Sequence, residues 1–511
     1  MWRRLLLAGG VIVLALAALW AVRGQMAVEA SEIQVVYQVG TGKADVTPTD
    51  WETRIYWMAG YGAFRAATSV NDPLMTRVLI IDDGSTPMAI VTFDLLGITS
   101  DDAAAIQGVI AAQLPQLADH ILIHATHQHE GPDTIGIWGG AGSPPFGNPR
   151  PQDYMDYIAA QAATAAQQAW DSRTPVSVTF ANIQHDPLLD DLVQDSRTPQ
   201  VWDPYARLIV FHDGSGEPVA TLVNWASHPE VLGSENQAMT ADFVKWVVDE
   251  IEENYGGAGI FVNGAIGGLL SSNGGDVLPD LPDDSFEKAE AVGRQLTQRL
   301  MAQLANPGPN DIIATYQTLP PLQFSTREFY LPVENQALIL GQALNRIPKQ
   351  MYRQFEIPPQ EWRRTNPLAK YTNTETNFVR MGPAAILTVG GELYPELLVG
   401  GIEPVGVPPF NTFPPEPPLV NNPGFAPYDF QFFFGLTNDF IGYIIPISEW
   451  DGWAGGQYGE DFALSHDEGF ILSYNLHLLM LGYETGEYPG EMPAFMPPSP
   501  PLLSEEELLS P

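Results

Sequence analysis

Ala220-Thr221-Leu222-Val223-Asn224-Trp225-Ala226-Ser227-His228-Pro229-Glu230 begins a unit that runs through Asp242-Phe243-Val244-Lys245-Trp246-Val247-Val248-Asp249-Glu250-Ile251-Glu252-Glu253-Asn254 to Gly259-Ile260-Phe261-Val262-Asn263. The first segment is a short apolar strand, and Pro229 biases His228 towards an extended exit. In the second, Phe243, Trp246, Val247 and Ile251 recur at helical spacing behind Asp242, a good N-cap. The third is again a short apolar strand. Strand, helix, strand is the signature of a layered α/β arrangement with covered sheets.

The same alternation extends outward from about residue 33 to 305. Strand-like runs are Ile33–Val39, Arg77–Ile81, Met88–Phe93, His120–His124, Val176–Phe180, Leu208–Phe211, Ala220–Trp225 and Gly259–Asn263; helical patterns cover Ser100–Leu114, Gln152–Trp170, Asp242–Asn254 and Ser285–Ala305. A mixed α/β fold is expected, with layered sheets covered by helices in a single large domain, 31–487, that carries long loops. Gly264-Ala265-Ile266-Gly267-Gly268 follows a strand but lacks the Lys-Ser/Thr of a phosphate loop. The Pro- and Asn-rich stretch 401–428 reads as a functional loop or lid, or as an ordered surface wrap.

The 511 residues carry 23 Lys and Arg against 61 Asp and Glu, a net charge of −38. Such a surface repels nucleic acid and anionic membranes, and no nucleic-acid partner is expected. Cysteine is absent, which excludes disulfides, Cys-ligated metals and a Cys nucleophile. Met1-Trp2-Arg3-Arg4 is a positive n-region ahead of the apolar run Leu5–Val22, and Val28-Glu29-Ala30 offers small residues for a signal peptidase. Residues 1–30 are expected to be a signal peptide or an N-terminal membrane anchor, since the run just suffices to span a bilayer. The positive-inside rule then puts residue 31 onward outside the cytoplasm, secreted or tethered. Residues 488–511, Pro-rich and then acidic, read as a disordered tail.

His127 and His129 follow the apolar run Ile121-Leu122-Ile123 and, two apart at a strand end, point to one face. Neutral imidazole is the commonest protein ligand for zinc; a turn cap or a bond to a loop carbonyl is the other reading of this pair. His228 ends a second strand, and a catalytic zinc needs three or four N/O ligands with one position open. His120, His124, His185, His212, His466 and His477 are read as structural. Asp94 and Asp242 are read as capping or supporting carboxylates.

Thr126-His127-Gln128-His129-Glu130-Gly131-Pro132 resembles the Thr-His-Thr-His-Ser-Gly-Pro block of the neutral (alkaline, non-lysosomal) ceramidase family, and Ala226-Ser227-His228-Pro229 resembles its second His-Pro block. Gly42-Lys43-Ala44-Asp45-Val46-Thr47-Pro48 and Met58-Ala59-Gly60-Tyr61-Gly62 are similar to its opening segments. Gly391-Glu392-Leu393 is similar to its Gly-Glu-Phe, Gly435 to Tyr443 to its Gly-x-x-Asn-x-x-x-x-Tyr, and Gln457-Tyr458 to its Gln-x-Tyr-Glu-Gly. The blocks keep the family order across about residues 40–465. The resemblance implies that His127, His228, Glu392 and Tyr443 hold Zn²⁺ and that His129 sits beside the zinc-bound water. It further implies that Tyr458 reaches the oxyanion, and that Arg197, in Asp195-Ser196-Arg197-Thr198-Pro199, is a polarising group. The implied activity is zinc-dependent hydrolysis of the N-acyl amide of ceramide or a related lipid to a fatty acid and a sphingoid base. Membrane contact would come through the N-terminal segment.

The chain departs from the family at Glu130, at Asp133-Thr134 and at Gly267-Gly268-Leu269-Leu270-Ser271, and Tyr443 and Tyr458 stand further apart. From the short stretch after 487, the C-terminal immunoglobulin-like domain of the best-known members is expected to be missing. A zinc hydrolase of the same fold acting on another amide or an ester is the alternative; a non-catalytic surface-binding protein is a third reading.

Overall fold

The computed structural model describes residues 33–139, 150–271, 278–402, 415–452 and 458–488. The expected signal peptide or anchor at 1–30, the tail from 489 and the centre of the Pro-rich stretch, 403–414, lie outside the described residues. Among the described residues, no helix is long and apolar enough to cross a membrane.

Three sheets meet around one core. The first runs in the order Ile121–Ala125, Met88–Phe93, Met75–Asp82, Gln38–Asp45, with Thr174–Pro175 at its edge. The second runs Ala258–Asn263, Pro218–Trp225, Tyr205–His212, Ser177–Gln184, Ile312–Tyr316, and the third Gln323–Val333, Lys370–Met381, Ala384–Thr388, Phe430–Phe434. Period-two alternation sorts the side chains. In Met75–Asp82, Val78 and Ile80 pack under the helices Ser100–Gln113 and Gln152–Asp171, while Leu79 and Ile81 join the layer between the sheets. The helices Phe243–Glu250 and Phe286–Ala305 cover the second sheet in the same way, and Glu468–Met480 covers the third. The fold is mixed α/β with helices outside the sheets, as the alternation predicts.

Two local differences from the sequence reading have clear causes. The first strand is Gln38–Asp45 rather than Ile33–Val39, because Gly40 and Gly42, which look like breakers, admit the Gln152–Asp171 helix. A Cβ on Gly40 would lie 2.1 Å from the Ala169 carbonyl oxygen, and one on Gly42 would lie 2.0 Å from that of Ala165. The Asp242-capped helix ends at Glu250 and continues as a wider, π-type turn over Ile251–Tyr255.

The site is positioned by parallel pairing. Met88–Phe93 pairs parallel with Ile121–Ala125, Pro218–Trp225 with Ala258–Asn263, Ala384–Thr388 with Phe430–Phe434, and Glu392–Leu393 with Tyr443–Ile444. Parallel neighbours bring their carboxyl ends to one edge, where the loops that follow them can share a crevice.

Candidate active site

Backbone bonds tie the loops at that edge together. Asn263 is central: its side chain donates to the Thr126 carbonyl (2.7 Å), its N–H donates to His124 Nε2 (3.0 Å), and its carbonyl accepts from Gly435 N–H (3.2 Å). Asn438 N–H reaches Ile123 (2.7 Å) and Ala125 N–H reaches Leu436 (3.2 Å). Burial holds His124 down to about 3, so it stays neutral and accepts the Asn263 bond.

His127 leaves its strand with φ of +69°, a left-handed backbone that residues other than glycine rarely adopt. Such strain persists where the surroundings dictate it. Here His127 N–H donates to Leu95 (2.9 Å) and Nδ1–H to the Leu96 carbonyl (2.7 Å). Since a carbonyl only accepts, Nδ1 carries the proton and Nε2 presents its lone pair. That Nε2 lies 3.1 Å from His228 Nε2 and 3.5 Å from Glu392 Oε2, and His228 Nε2 lies 3.2 Å from the same oxygen. Ligand atoms about 2.0–2.1 Å from a tetrahedral ion stand about 3.3 Å apart. The three edges bracket that value, so the donor set fits a zinc-sized cation. All three side chains are buried. Burial pushes the Glu392 carboxyl up, but the two imidazoles, when protonated, outweigh it and hold the group down at about 2.

His129 joins the cluster from the next alternate position: ligand atoms of His127, His129 and His228 all lie within 4.8 Å of one another. Among the described residues, neither His129 ring nitrogen makes a hydrogen bond, although the residue is buried. Burial, and then the neighbouring His127, His228 and Arg65, push its pKa well down, so the ring is neutral. Tyr443 pairs in register with Glu392 and lines the same cavity of about 50 Å³ with His127, His129, Trp138 and Phe440. Its hydroxyl is 3.4 Å from that of Tyr458, a partly exposed residue. Burial raises both phenols, that of Tyr458 to about 12. Gln457, next to Tyr458, lies outside the described residues.

The structure does not bring Arg197 to this cavity. Its guanidinium lies among the carboxylates of Asp195 (3.1 Å), Glu396 (2.6 Å) and Glu449 (3.6 Å) and stacks on Tyr394 (3.9 Å). Asp94 binds Arg77 and the Met75 N–H, both at 2.9 Å, and Asp242 caps Phe243 (2.6 Å). A second convergence of possible ligands, Glu334, His466 and Asp467, is filled by Arg364, 2.8 Å from Glu334 and 2.7 Å from Asp467.

Sequence reasoning passed over Glu230. It is buried beside His129 (Oε2 to Nδ1, 3.4 Å), and the available signal was a carboxylate two residues beyond His228 in a Pro-fixed exit. Glu130 is buried too, bound to Arg65 (3.0 Å) and Asn236 (2.8 Å), with burial pushing it up to about 8.

No protein-family model and no curated protein sequence matches the chain. Among the solved structures similar to it is the neutral ceramidase from Pseudomonas aeruginosa, with a TM-score of 0.63 at 15% identity over 91% of this chain and 76% of that one. Another is a ceramidase complexed with C2, with a TM-score of 0.62 at 14% identity over 91% and 77% of the two chains. This chain shares their fold. At such identity the likeness is one of fold.

Proposed function

We propose that this protein is a zinc-dependent amidohydrolase of ceramidase type, cleaving the N-acyl amide of ceramide or a related lipid to a fatty acid and a sphingoid base. One observation carries the reading: His127, His228 and Glu392 converge at tetrahedral-edge spacing, and His127 and Glu392 line a cavity together with His129 and Tyr443. When bound there, zinc supplies a Lewis acid that lowers the pKa of water to about 7 and polarises a carbonyl.

Everything else falls to side chains. Two neutral imidazoles and one carboxylate leave the site of a divalent ion cationic. His129, neutral and buried beside the proposed metal position, takes the proton of the attacking water and returns it to the leaving amine. Tyr443 and Tyr458 remain protonated at neutral pH and are suited to donate to the oxyanion. A well-placed donor of this kind contributes about 3–4 kcal/mol. Arg197 has no part in this chemistry: it lies outside the cavity, stacked on Tyr394 and paired with Glu396.

A small apolar pocket of about 40 Å³ borders the metal cavity. Ile135, Ile137, Leu338, Ile347 and Leu464 line it, and it shares Phe440 and Phe462 with the metal cavity. The buried Glu130, where the family block has Ser, favours a second reading in which the amide or ester is not a sphingolipid. The test is metal content and turnover of purified protein on N-acylsphingosines of graded chain length, beside His228→Ala. Expected are bound zinc and turnover, both lost in the variant; zinc without turnover at any length removes the lipid substrate. The proposed setting is extracytoplasmic, with 1–30 as signal or anchor and as the route to membrane contact, and fractionation of expressing cells checks it.

A further inference from the structure

Glu230 is 8% exposed, and its Oε2 faces His129 Nδ1 at 3.4 Å while Oε1 accepts the Ser271 N–H at 3.3 Å. His129 offers two buried ring nitrogens that make no hydrogen bond among the described residues. The two residues are clamped together. His129 N–H donates to the Pro229 carbonyl (3.3 Å), and the Tyr61 hydroxyl donates to the Glu230 carbonyl (3.0 Å). The Tyr61 ring stands edge-on to the imidazole at 4.9 Å, and Arg65 lies over Tyr61 at 4.6 Å while donating to the His129 carbonyl. On another side Gly60, with φ of +102°, leaves room that a Cβ would fill at 2.3 Å from the His129 ring. The imidazole therefore has a wall on either side and a carboxylate at one nitrogen.

We propose that Glu230 is a positioning residue: it accepts the Nδ1–H of His129 and so fixes the tautomer that leaves Nε2 as the proton acceptor in the cavity. A carboxylate is the partner that orients a working imidazole and stabilises its cation. The contact, slightly long here, is of the kind that shortens when a substrate complex forms. The proton balance is simple. Nε2 takes one proton from the attacking water, the Glu230 side chain faces the imidazolium at Nδ1, and the same proton passes to the amine nitrogen as the C–N bond breaks. Glu230 itself transfers nothing. The catalytic consequence rests on the hydrolase reading; the tautomer does not.

Two measurements decide it. Nitrogen NMR of zinc-loaded protein labelled with [¹⁵N]histidine is expected to show His129 protonated at Nδ1, and Glu230→Leu is expected to mix the tautomers. In kinetics, Glu230→Leu should lower kcat by about 100-fold with KM and zinc content near those of the wild type, and Glu230→Asp should recover part of the loss. A wild-type His129 protonated at Nε2 overturns the proposal, as does an unchanged kcat. Loss of zinc from Glu230→Leu with the tautomer intact also overturns it, by making Glu230 a ligand. Should the wild type cleave no N-acyl amide, the hydrolase reading fails and the NMR result still decides the role of Glu230. If Glu230→Leu does not fold, the wild-type spectrum and Glu230→Asp decide it.

Discussion

At the scale of single residues, two positions are set by exclusion rather than attraction. His127 is forced into a left-handed backbone so that its Nδ1 meets Leu96, and His129 occupies space that only a glycine at 60 leaves open. Gly60→Ala is expected to displace the His129 ring, lowering kcat about tenfold or more while the protein stays folded. Steady-state kinetics beside a urea titration would show it, and an undiminished kcat would mean that the ring is not held there. Glu416 is a residue-scale case away from the metal cavity. It is buried, accepts the Ile447 N–H (2.9 Å), and burial pushes it up to about 7. Its folded-state pKa thus lies above the ordinary carboxylate value of about 4.3. The folded chain keeps a proton that the unfolded chain releases, so stability is complete below about pH 4.3 and falls as pH rises to about 7. The loss is on the order of 3 kcal/mol. Glu416→Gln should flatten that decline, read as urea midpoints at pH 5 and pH 8.

At the scale of elements, close approach decides where helices dock. The Gln152–Asp171 helix presents Ala162, Ala165, Ala166 and Ala169 to a strand that contributes Gly40 and Gly42. Two small-residue surfaces can approach more closely than branched ones. Gly42→Val is expected to cost about 3 kcal/mol or more, seen as a lower melting temperature or as failure to fold. The apolar pocket between Ile135, Ile347 and Phe440 is another element-scale feature, since loops from separate parts of the chain line it. Ile347→Trp should fill it and raise KM for long N-acyl substrates by roughly tenfold, leaving short ones unaffected. Equal effects at every chain length would remove the pocket from the acyl path.

At the scale of the whole molecule, each sheet sends one donor to the metal position. His127 follows the first, His228 the second, and Glu392 the third. A cation held there, as proposed, would cross-link all three. With free zinc about 1,000-fold above its dissociation constant, the stabilisation is about 4 kcal/mol. Chelation should therefore lower the melting temperature by several degrees, and zinc should restore it. His228→Ala is expected to melt low and to ignore added zinc in a calorimetric scan.

Local pattern was enough for the four long helices over 100–305 and most strands of the first two sheets, and it nominates His127, His129 and His228, because periodicity and strand-end placement are properties of short segments. The third sheet was harder to read. Lys370-Tyr371-Thr372-Asn373-Thr374-Glu375-Thr376-Asn377 looks polar, yet Thr376 and Asn377 are buried and spend their polar groups on Thr388. Glu392 and Tyr443 become neighbours through a two-residue parallel pair, Arg197 is drawn off by three carboxylates, and Glu230 meets His129 across a loop junction. Those outcomes depend on contacts between residues far apart in the chain, and only the packed sheets, which hold the loop ends within a few ångströms, decide them.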